Sequence, residues 1–401
     1  MTLERVDTQH NTMRWGFILL LGAVSGLSAF GMASVIPALP VLGRALDANY
    51  DSLQFVVSAY LFGLGLFQPI QGLLCDRYGR RPVLLGGFSL FLLASLLAST
   101  ASSLGALVAA RFLQAMGVSV ATVASRAIVS DSYPPEPAAI ALSFITAVMG
   151  VAPVIAPMIG GIAVEFWGWR GIFWLHASAA LLLLILLFSQ LRETRPIITQ
   201  GMNLIVLISS FKILLRERSF LGYTLTYGFV SAGGFVFITI GASLFHNLFS
   251  LSPSGFGALW SSLAITYILG ATSAGALSKF FDSIRAQKLG MACNILATIL
   301  FFGAAYSSEP KLWEFSLALG LLMYANGLIS PLSLAGASGS HPHLAGIASG
   351  LSSSIAMIIS MLSAILTGNF YDGTAHPSAW LMCLVCLCAS LSLHFAHKTK
   401  D

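Results

Sequence analysis

Charged side chains are scarce in this chain of 401 residues. Asp, Glu, Lys and Arg make up 9% of it, whereas a soluble globular protein carries about 25%. So few charges cannot cover a water-facing surface, and 57% of the residues are hydrophobic. The composition therefore excludes an ordinary soluble domain and indicates a surface that faces lipid.

Cysteine is also rare, and its placement does not predict a disulfide framework. Four of the five cysteines lie inside apolar runs, and the fifth lies at the end of one. Cys383 and Cys386 have the spacing of a metal or redox pair, but no acid or histidine lies near them, so packing as small hydrophobic side chains is expected. We therefore expect no metal and no cofactor. The cysteines are Cys75, Cys293, Cys383, Cys386 and Cys388.

Motifs of catalysis and of nucleotide binding are missing as well. Neither H-E-x-x-H nor G-x-S-x-G occurs, and no phosphate-binding loop is present, so neither an intramembrane enzyme nor an ATP-driven pump is expected. His341 and His343 lack a third ligand. No segment is long enough for the soluble domain of a receptor or scaffold. The net charge of +5 matches anionic lipid headgroups, and we expect no nucleic-acid partner.

Long apolar runs dominate what remains, and a helix that crosses a bilayer needs about 20 such residues. Twelve runs qualify, which predicts an all-α membrane protein with twelve transmembrane helices in two six-helix bundles. The runs are 15–40, 53–75, 82–101, 104–128, 138–164, 171–191, 219–245, 254–277, 287–307, 312–335, 345–367 and 378–395.

The longest stretch without a crossing divides these runs six and six. It predicts an N-terminal bundle over 1–191, a cytoplasmic linker over 192–218 with a helix at the membrane interface, and a C-terminal bundle over 219–401. Lys and Arg concentrate on the side that holds both termini, so we expect both termini in the cytoplasm. A multi-pass monomer in a lipid bilayer is expected.

Four charges fall within six residues of one loop, Gly72–Pro82, which reads GLLCDRYGRRP. This loop resembles the G-x-L-x-D-R-x-G-R-R signature of the major facilitator superfamily. The resemblance implies a cytoplasmic gate in which Asp76 meets Arg77, Arg126 or a helix N-terminus of the other half. The alternative is a loop that only sets topology. The predicted gate residues are Gly72, Asp76, Arg77, Gly79, Arg80, Arg81, Arg126 and Asp131.

Two further patterns narrow the resemblance. Arg111, Gln114 and Gly117 are similar to the helix-four signature of drug:proton antiporters. The helix-five run APVIAPMIGG resembles the antiporter signature that ends G-P-x-x-G-G. Together with Trp169-Arg170 and Ala345-Gly346, these patterns resemble the Bcr/CflA-type branch of bacterial drug efflux proteins. The helix-five motif residues are Pro153, Pro157, Gly160 and Gly161.

The resemblance implies proton-coupled export of small amphipathic compounds by alternating access, but one feature departs from it. Ala33 stands where much of this branch has an acid on helix one, and no Asp or Glu falls in a predicted membrane centre. Glu165 and His176 are the candidate replacements for proton transfer. Arg111 has two interpretations: a residue for protons or substrate, or a buried arginine satisfied by carbonyls and Gln114.

Without a deep acid a cationic substrate would lack a counter-charge, so we expect neutral, zwitterionic or anionic amphiphiles, with Arg111 as the partner of an anion. A carrier or exporter of a native metabolite without tight proton coupling remains the alternative. The predicted substrate and coupling residues are Arg111, Gln114, Glu165, Tyr60, Tyr227, Phe235 and Asn326. Further cavity candidates are Gln54, Tyr223, Trp260, Tyr267, Tyr324, Ser353, Ser354, Met357 and Met361.

Overall fold

The computed structural model describes residues 14–194, 204–280 and 282–398. Within these ranges the regular structure is helical and contains no strand. The helices are α1 (Trp15–Ala33), α2 (Leu39–Ala45), α3 (Tyr50–Tyr78), α4 (Arg80–Ser99), α5 (Leu104–Val118), α6 (Val120–Ser132), α7 (Pro135–Gln190), α8 (Leu204–Leu214), α9 (Arg218–Phe249), α10 (Pro253–Phe280), α11 (Ser283–Ala305), α12 (Leu312–Gly339), α13 (Ala345–Phe370) and α14 (His376–Lys398).

The number of membrane crossings depends on how α7 is counted. Eleven helices of the described residues are long and apolar enough to cross a membrane, and α7 has 56 residues. A straight helix of that length would span about 80 Å, far more than the roughly 30 Å of a bilayer core. Gly168 has a φ of 67° and a ψ of −178° and breaks α7 into two crossings. The twelve predicted transmembrane helices are therefore confirmed.

The first predicted run, 15–40, is not one continuous helix. Helix α1 ends at Ala33, a 3₁₀ turn follows over Ile36–Ala38, and the chain resumes as α2. Pro37 and Pro40 lack the backbone N–H that a continuing helix needs. The break begins directly after Ala33, so the backbone is irregular where the sequence departs from the family pattern.

Helices pack mainly within two groups. Helices α1 and α3–α7 contact one another, as do α9–α14, while α3 packs on α13 and α7 packs on α10 across the groups. Helix α8 packs against α13, with Leu214 in a core that includes Leu351. Part of the predicted linker, residues 195–203, lies outside the described residues. The division at 192–218 stays a prediction that agrees with this pattern of contacts.

The two ends of the helix bundle differ in how tightly the groups meet. We call the end that carries the α3–α4 turn at Gly79 the loop face, and the opposite end the far face. At the far face Gly161 packs on the backbone of Pro253, Gly257 on that of Pro157, and Gly368 on the Gln54 side chain.

At the loop face a cavity of about 160 Å³ lies between the ends of α3 and α13. Gln68 and Gly72 line one side, Gly346 and Gly350 the other, and Phe211 of α8 also reaches it. A cavity of about 400 Å³ also lies between the groups at the far face, lined by α2, the start of α3 and the end of α9. The main-chain contacts of α7 with α10 at the far face are nevertheless closer than the packing of α3 on α13 at the loop face.

Candidate functional site

Arg111 lies on α5 with no exposed surface. Its Nη1 donates hydrogen bonds to the Gly31 carbonyl and to Gln114 Oε1, each at 2.9 Å, and its Nε donates to the Val56 carbonyl at 3.3 Å. The guanidinium also lies 4.0 Å from the centre of the Tyr60 ring. Carbonyl dipoles and the ring face therefore stabilise this buried charge.

A chain of hydrogen bonds leads from Arg111 to the break in the first crossing. Gln114 Nε2 donates to Ser95 Oγ at 2.7 Å and lies 3.5 Å from His176 Nδ1. His176 Nε2 lies 2.8 Å from Ser34 Oγ, and Ser34 Oγ donates to the Phe30 carbonyl at 2.8 Å. These contacts join α1, α4, α5 and the second crossing of α7.

The hydrogen-bond partners of His176 show which of its two ring nitrogens donates and which accepts. Because Ser34 Oγ donates to a carbonyl, His176 Nε2 must be the donor in their contact. Because Gln114 Oε1 accepts from Arg111, its Nε2 faces His176 and donates to Nδ1. One proton on Nε2 thus satisfies His176, and a second proton on Nδ1 would face the Gln114 N–H group.

Two of the predicted substrate residues therefore belong to a buried network. Arg111 and Gln114 have no exposed surface, and neither has Tyr60, whose hydroxyl donates to the Ser28 carbonyl at 2.9 Å. The contact of Arg111 with an anionic substrate stays a prediction, because in this conformation the side chain is enclosed by its own helix group. Nη1 and Nε match the alternative of an arginine satisfied by carbonyls and Gln114, but the buried Nη2 has no hydrogen-bond partner among the described residues.

Another arginine occupies the space between the two groups. Arg126 of α6 is exposed and lies close enough to Tyr227 of α9 to act on its hydroxyl electrostatically. Ser353 of α13 and Tyr267 of α10 also lie near Tyr227. Together they form a polar wall contributed by four helices.

The remaining predicted cavity residues divide between this space and the helix cores. Phe235 packs against core clusters of both groups, so it lies at their junction. Asn326 is instead buried between α12 and α9, where its Nδ2 donates to the Val230 carbonyl at 3.3 Å and its Oδ1 accepts from Ser330 at 2.6 Å. Asn326 is not available to a ligand in this conformation.

The loop-face charges pair within one helix group. Arg80 Nη1 lies 2.7 Å from Asp76 Oδ1, and Arg80 Nε lies 3.1 Å from Asp131 Oδ2. Asp76 therefore pairs with Arg80 in this conformation. Its expected contact with Arg77, Arg126 or a helix N-terminus of the other half stays a prediction for the other state.

Arg77 and Arg81 have other surroundings. The exposed Arg77 guanidinium lies 5.3 Å from the centre of the Tyr78 ring. Arg81 Nη2 donates to the Phe188 carbonyl at 3.1 Å, which ties the start of α4 to the end of α7. Arg81 therefore connects two helices of the first group.

Glu193 completes this cluster, although sequence reasoning gave it no role in the gate. Its carboxylate accepts from the backbone N–H groups of Arg80 at 2.9 Å and Arg81 at 3.1 Å, the first residues of α4. An anion at a helix N-terminus is stabilised by the helix dipole. Gly79 has a φ of 101°, and a Cβ there would lie 2.5 Å from Glu193 Oε2. In the sequence, the only indication of a role for Glu193 was its position beside Thr194, directly after the sixth apolar run.

The helix-five motif forms the contact at the far face. Gly160 packs on the Ser34 backbone at the break after α1, and Gly161 packs on the Pro253 backbone at the start of α10. Pro157 packs against Gly257, and Pro153 lies inside α7. Glycine is required at both positions because a side chain would overlap main-chain atoms.

Glu165 lies at the same face and connects the two groups. Its Oε1 accepts from the Ser254 backbone N–H at 3.1 Å, at the start of α10. The carboxylate is exposed, so it caps a helix of the opposite group and is not a deep proton site. Among the residues whose side chains the structure describes, no Asp or Glu is buried.

Comparisons with known proteins agree on one family. The Major Facilitator Superfamily model matches residues 21–364. Multidrug resistance protein D of Escherichia coli is 30% identical over 382 residues, which cover 92% of this chain and 94% of that protein. A bicyclomycin resistance protein homolog of Haemophilus influenzae is 26% identical over 387 residues, covering 94% and 95%.

Solved structures share the architecture. A bacterial homolog to the human lysosomal transporter Spinster, in an inward-facing and occupied conformation, matches with a TM-score of 0.78 at 15% identity. The match covers 96% of this chain and 97% of that one, and it shows the fold alone. With the family model spanning most of the chain and the helices packed in this arrangement, the chain belongs to the major facilitator superfamily.

Proposed function

We propose that this transporter exports small amphipathic compounds from bacteria in exchange for protons, as a member of the drug-efflux branch. The relatives named for bicyclomycin and multidrug resistance support export of xenobiotics. The observation that carries the proposal is the pair of unequal faces. Main-chain packing at Gly161 and Gly257 on the far face, with looser packing of α3 on α13 at the loop face, supports one end state of alternating access that opens at the loop face.

The loop face is the cytoplasmic face in this proposal. It carries Arg77, Arg80, Arg81, Lys212 and Arg216, and cytoplasmic loops carry the excess of Lys and Arg. The outermost described residues, Arg14 and Lys398, lie at the loop-face ends of α1 and α14. Both termini are accordingly cytoplasmic, and the open state accepts compounds from the cytoplasm.

Arg126, Tyr227, Tyr267 and Phe235 are the proposed substrate contacts. A guanidinium beside phenol and phenyl rings suits flat compounds that are neutral or carry a negative charge. Where the structure describes the side chain, no carboxylate is buried to attract a cation. We keep the preference for neutral, zwitterionic or anionic compounds that the sequence predicts, but we assign the contact with an anion to Arg126 in place of Arg111.

His176 is the proposed proton acceptor. A second proton on Nδ1 would face the Gln114 amide N–H, so Gln114 would have to rotate and its Oε1 would leave Arg111. Proton uptake would thereby disturb the contacts that join the first crossing to α5. Glu165 is less suited, because its exposed carboxylate lies at the far face.

Everted membrane vesicles with a pH-sensitive dye test the proposal. Adding anionic, neutral and cationic compounds should release protons only with the first two classes. His176→Gln should abolish this release while compounds still bind, and Glu165→Gln should keep it. Compound accumulation without any proton movement in the unaltered protein would contradict antiport and favour a facilitator.

A further inference from the structure

A groove of about 600 Å³ runs between α11 and α14 on the outer surface of the second helix group. Its floor includes Met291 and Leu393, which are buried, and its rim includes Ile295, which is 41% exposed. The volume falls within the roughly 300–1,000 Å³ of small-molecule sites. The loop-face cavity between the two helix groups lies elsewhere, between α3 and α13.

The surface around the groove faces lipid. Leu289 and Leu296 of α11 are 48% and 50% exposed, and Leu391 and Phe395 of α14 are 61% and 44% exposed. Apolar side chains this exposed on a membrane-spanning helix are solvated by acyl chains. The groove therefore opens towards the bilayer.

Polar side chains interrupt this apolar surface at one end of the groove. Lys288 and His394 are exposed, and Ser390 and His397 also line it. His397 lies 2.9 Å from Gln287 Oε1, a contact that orients its ring. Helix α11 starts at the loop face and α14 ends there, so Lys288, His394 and His397 lie within two turns of that face.

The order of side chains along the groove matches an amphiphile. Helix α11 rises about 1.5 Å per residue, which places Ile295 about 10 Å deeper than Lys288. A negatively charged headgroup would meet Lys288 and His394, and an acyl chain would follow Met291 and Ile295. Basic pockets between transmembrane helices at the cytoplasmic side suit anionic headgroups.

We propose that this groove binds one anionic phospholipid of the leaflet at the loop face, with its phosphate at Lys288 and His394. This site goes beyond the proposed function, because the main contacts of α11 and α14 are with helices of their own group. The lipid would fill the groove that protein side chains leave open and would hold α11 against α14.

Native mass spectrometry of the full-length protein tests the site, with phosphatidylglycerol and phosphatidylcholine added to delipidated protein. We expect the unaltered protein to prefer phosphatidylglycerol. The double variant Lys288→Gln/His394→Gln should bind it about five to ten times more weakly. Phosphatidylcholine binding should not change. Ile295→Trp, which blocks the groove without changing charge, should also weaken phosphatidylglycerol binding.

The matched control is Lys212→Gln/His343→Gln, which removes the same side chains from exposed positions at the loop face. It should bind phosphatidylglycerol as the unaltered protein does. Equal loss in both double variants would mean diffuse attraction to charge and would overturn the proposal. Displacement of the lipid by millimolar inorganic phosphate would also overturn it, because the site would then be one for a free anion.

Discussion

Arg111 lies on α5 and Arg126 on α6, and these two helices form one membrane crossing. The two side chains nevertheless have different surroundings. Arg111 is enclosed and donates to the Gly31 and Val56 carbonyls, whereas Arg126 is exposed beside Tyr227. A guanidinium can attract a substrate only where the substrate can reach it. The two arginines therefore make opposite predictions for ligand binding.

Arg126→Met should weaken the binding of anionic compounds about tenfold, because a charge-assisted contact is lost. Neutral compounds should bind as before. Arg111→Met should change the affinity of either class little, although transport should fall. Isothermal titration of the purified protein measures both. A loss of anion affinity in Arg111→Met alone would mean that the buried arginine reaches the substrate.

A substitution of Gly79 tests the contact between Glu193 and the start of α4. Gly79→Ala should lower the free energy of unfolding by about 1–3 kcal/mol, because φ is 101° and the methyl group would displace Glu193. Gly86→Ala on α4 is the control, since a Cβ there meets nothing within 4 Å and alanine favours a helix. Denaturant unfolding compares the two. Equal stability of the variants would contradict the assignment of Glu193 as a helix cap.

At the scale of elements, the contact of α7 with α10 decides whether the far face can open. Gly161 packs on the Pro253 backbone without a side chain between the helices, and Glu165 caps α10 beside it. Main-chain contact of this kind gives a close fit that few other residues allow. The motif thus acts through its fit against a helix of the other group.

Gly161→Leu should separate α7 from α10 and favour the state that is open at the far face. Thiol labelling of Ser254→Cys with a membrane-impermeant maleimide should then become several times faster. Gly150→Leu, also on α7 but with open space around its Cβ, should leave the rate unchanged. Unchanged labelling in Gly161→Leu would show that this contact does not control the far face.

For the whole molecule, the proposed end state, with the loop face open and the far face closed, predicts which cross-links form. A Cβ on Gly368 would lie 3.1 Å from the Gln54 Cβ, near the roughly 3.5–4.5 Å of a disulfide. With the five cysteines replaced, Gln54→Cys/Gly368→Cys should cross-link at rest and stop transport until it is reduced.

Gly72→Cys/Gly346→Cys spans the loop-face cavity and serves as the comparison. It should cross-link only while the protein turns over substrate, because the cavity must close first. Cross-linking at rest by this pair, without any at the far-face pair, would reverse the assignment of the open face. Gel mobility with and without reductant reads both results.

Much of the architecture was predictable because bilayer thickness acts on the chain locally. Apolar runs of sufficient length gave twelve crossings, and only the break after Ala33 and the merged α7 needed the structure. The loop from Gly72 to Pro82 and the helix-five glycines carried the family resemblance in contiguous residues. Features that depend on a short stretch of the chain could therefore be predicted from the sequence.

The partners of the polar residues were decided by tertiary structure alone. Glu193 reaches Arg80, and His176 reaches Ser34, across many residues of chain. Burial of Arg111 and exposure of Arg126 likewise depend on which helix faces which neighbour, and two arginines on apolar helices look alike in the sequence. The sequence by itself thus determined the membrane class, the crossings and the family. Only helix packing decided which charges meet each other and which one meets the cavity.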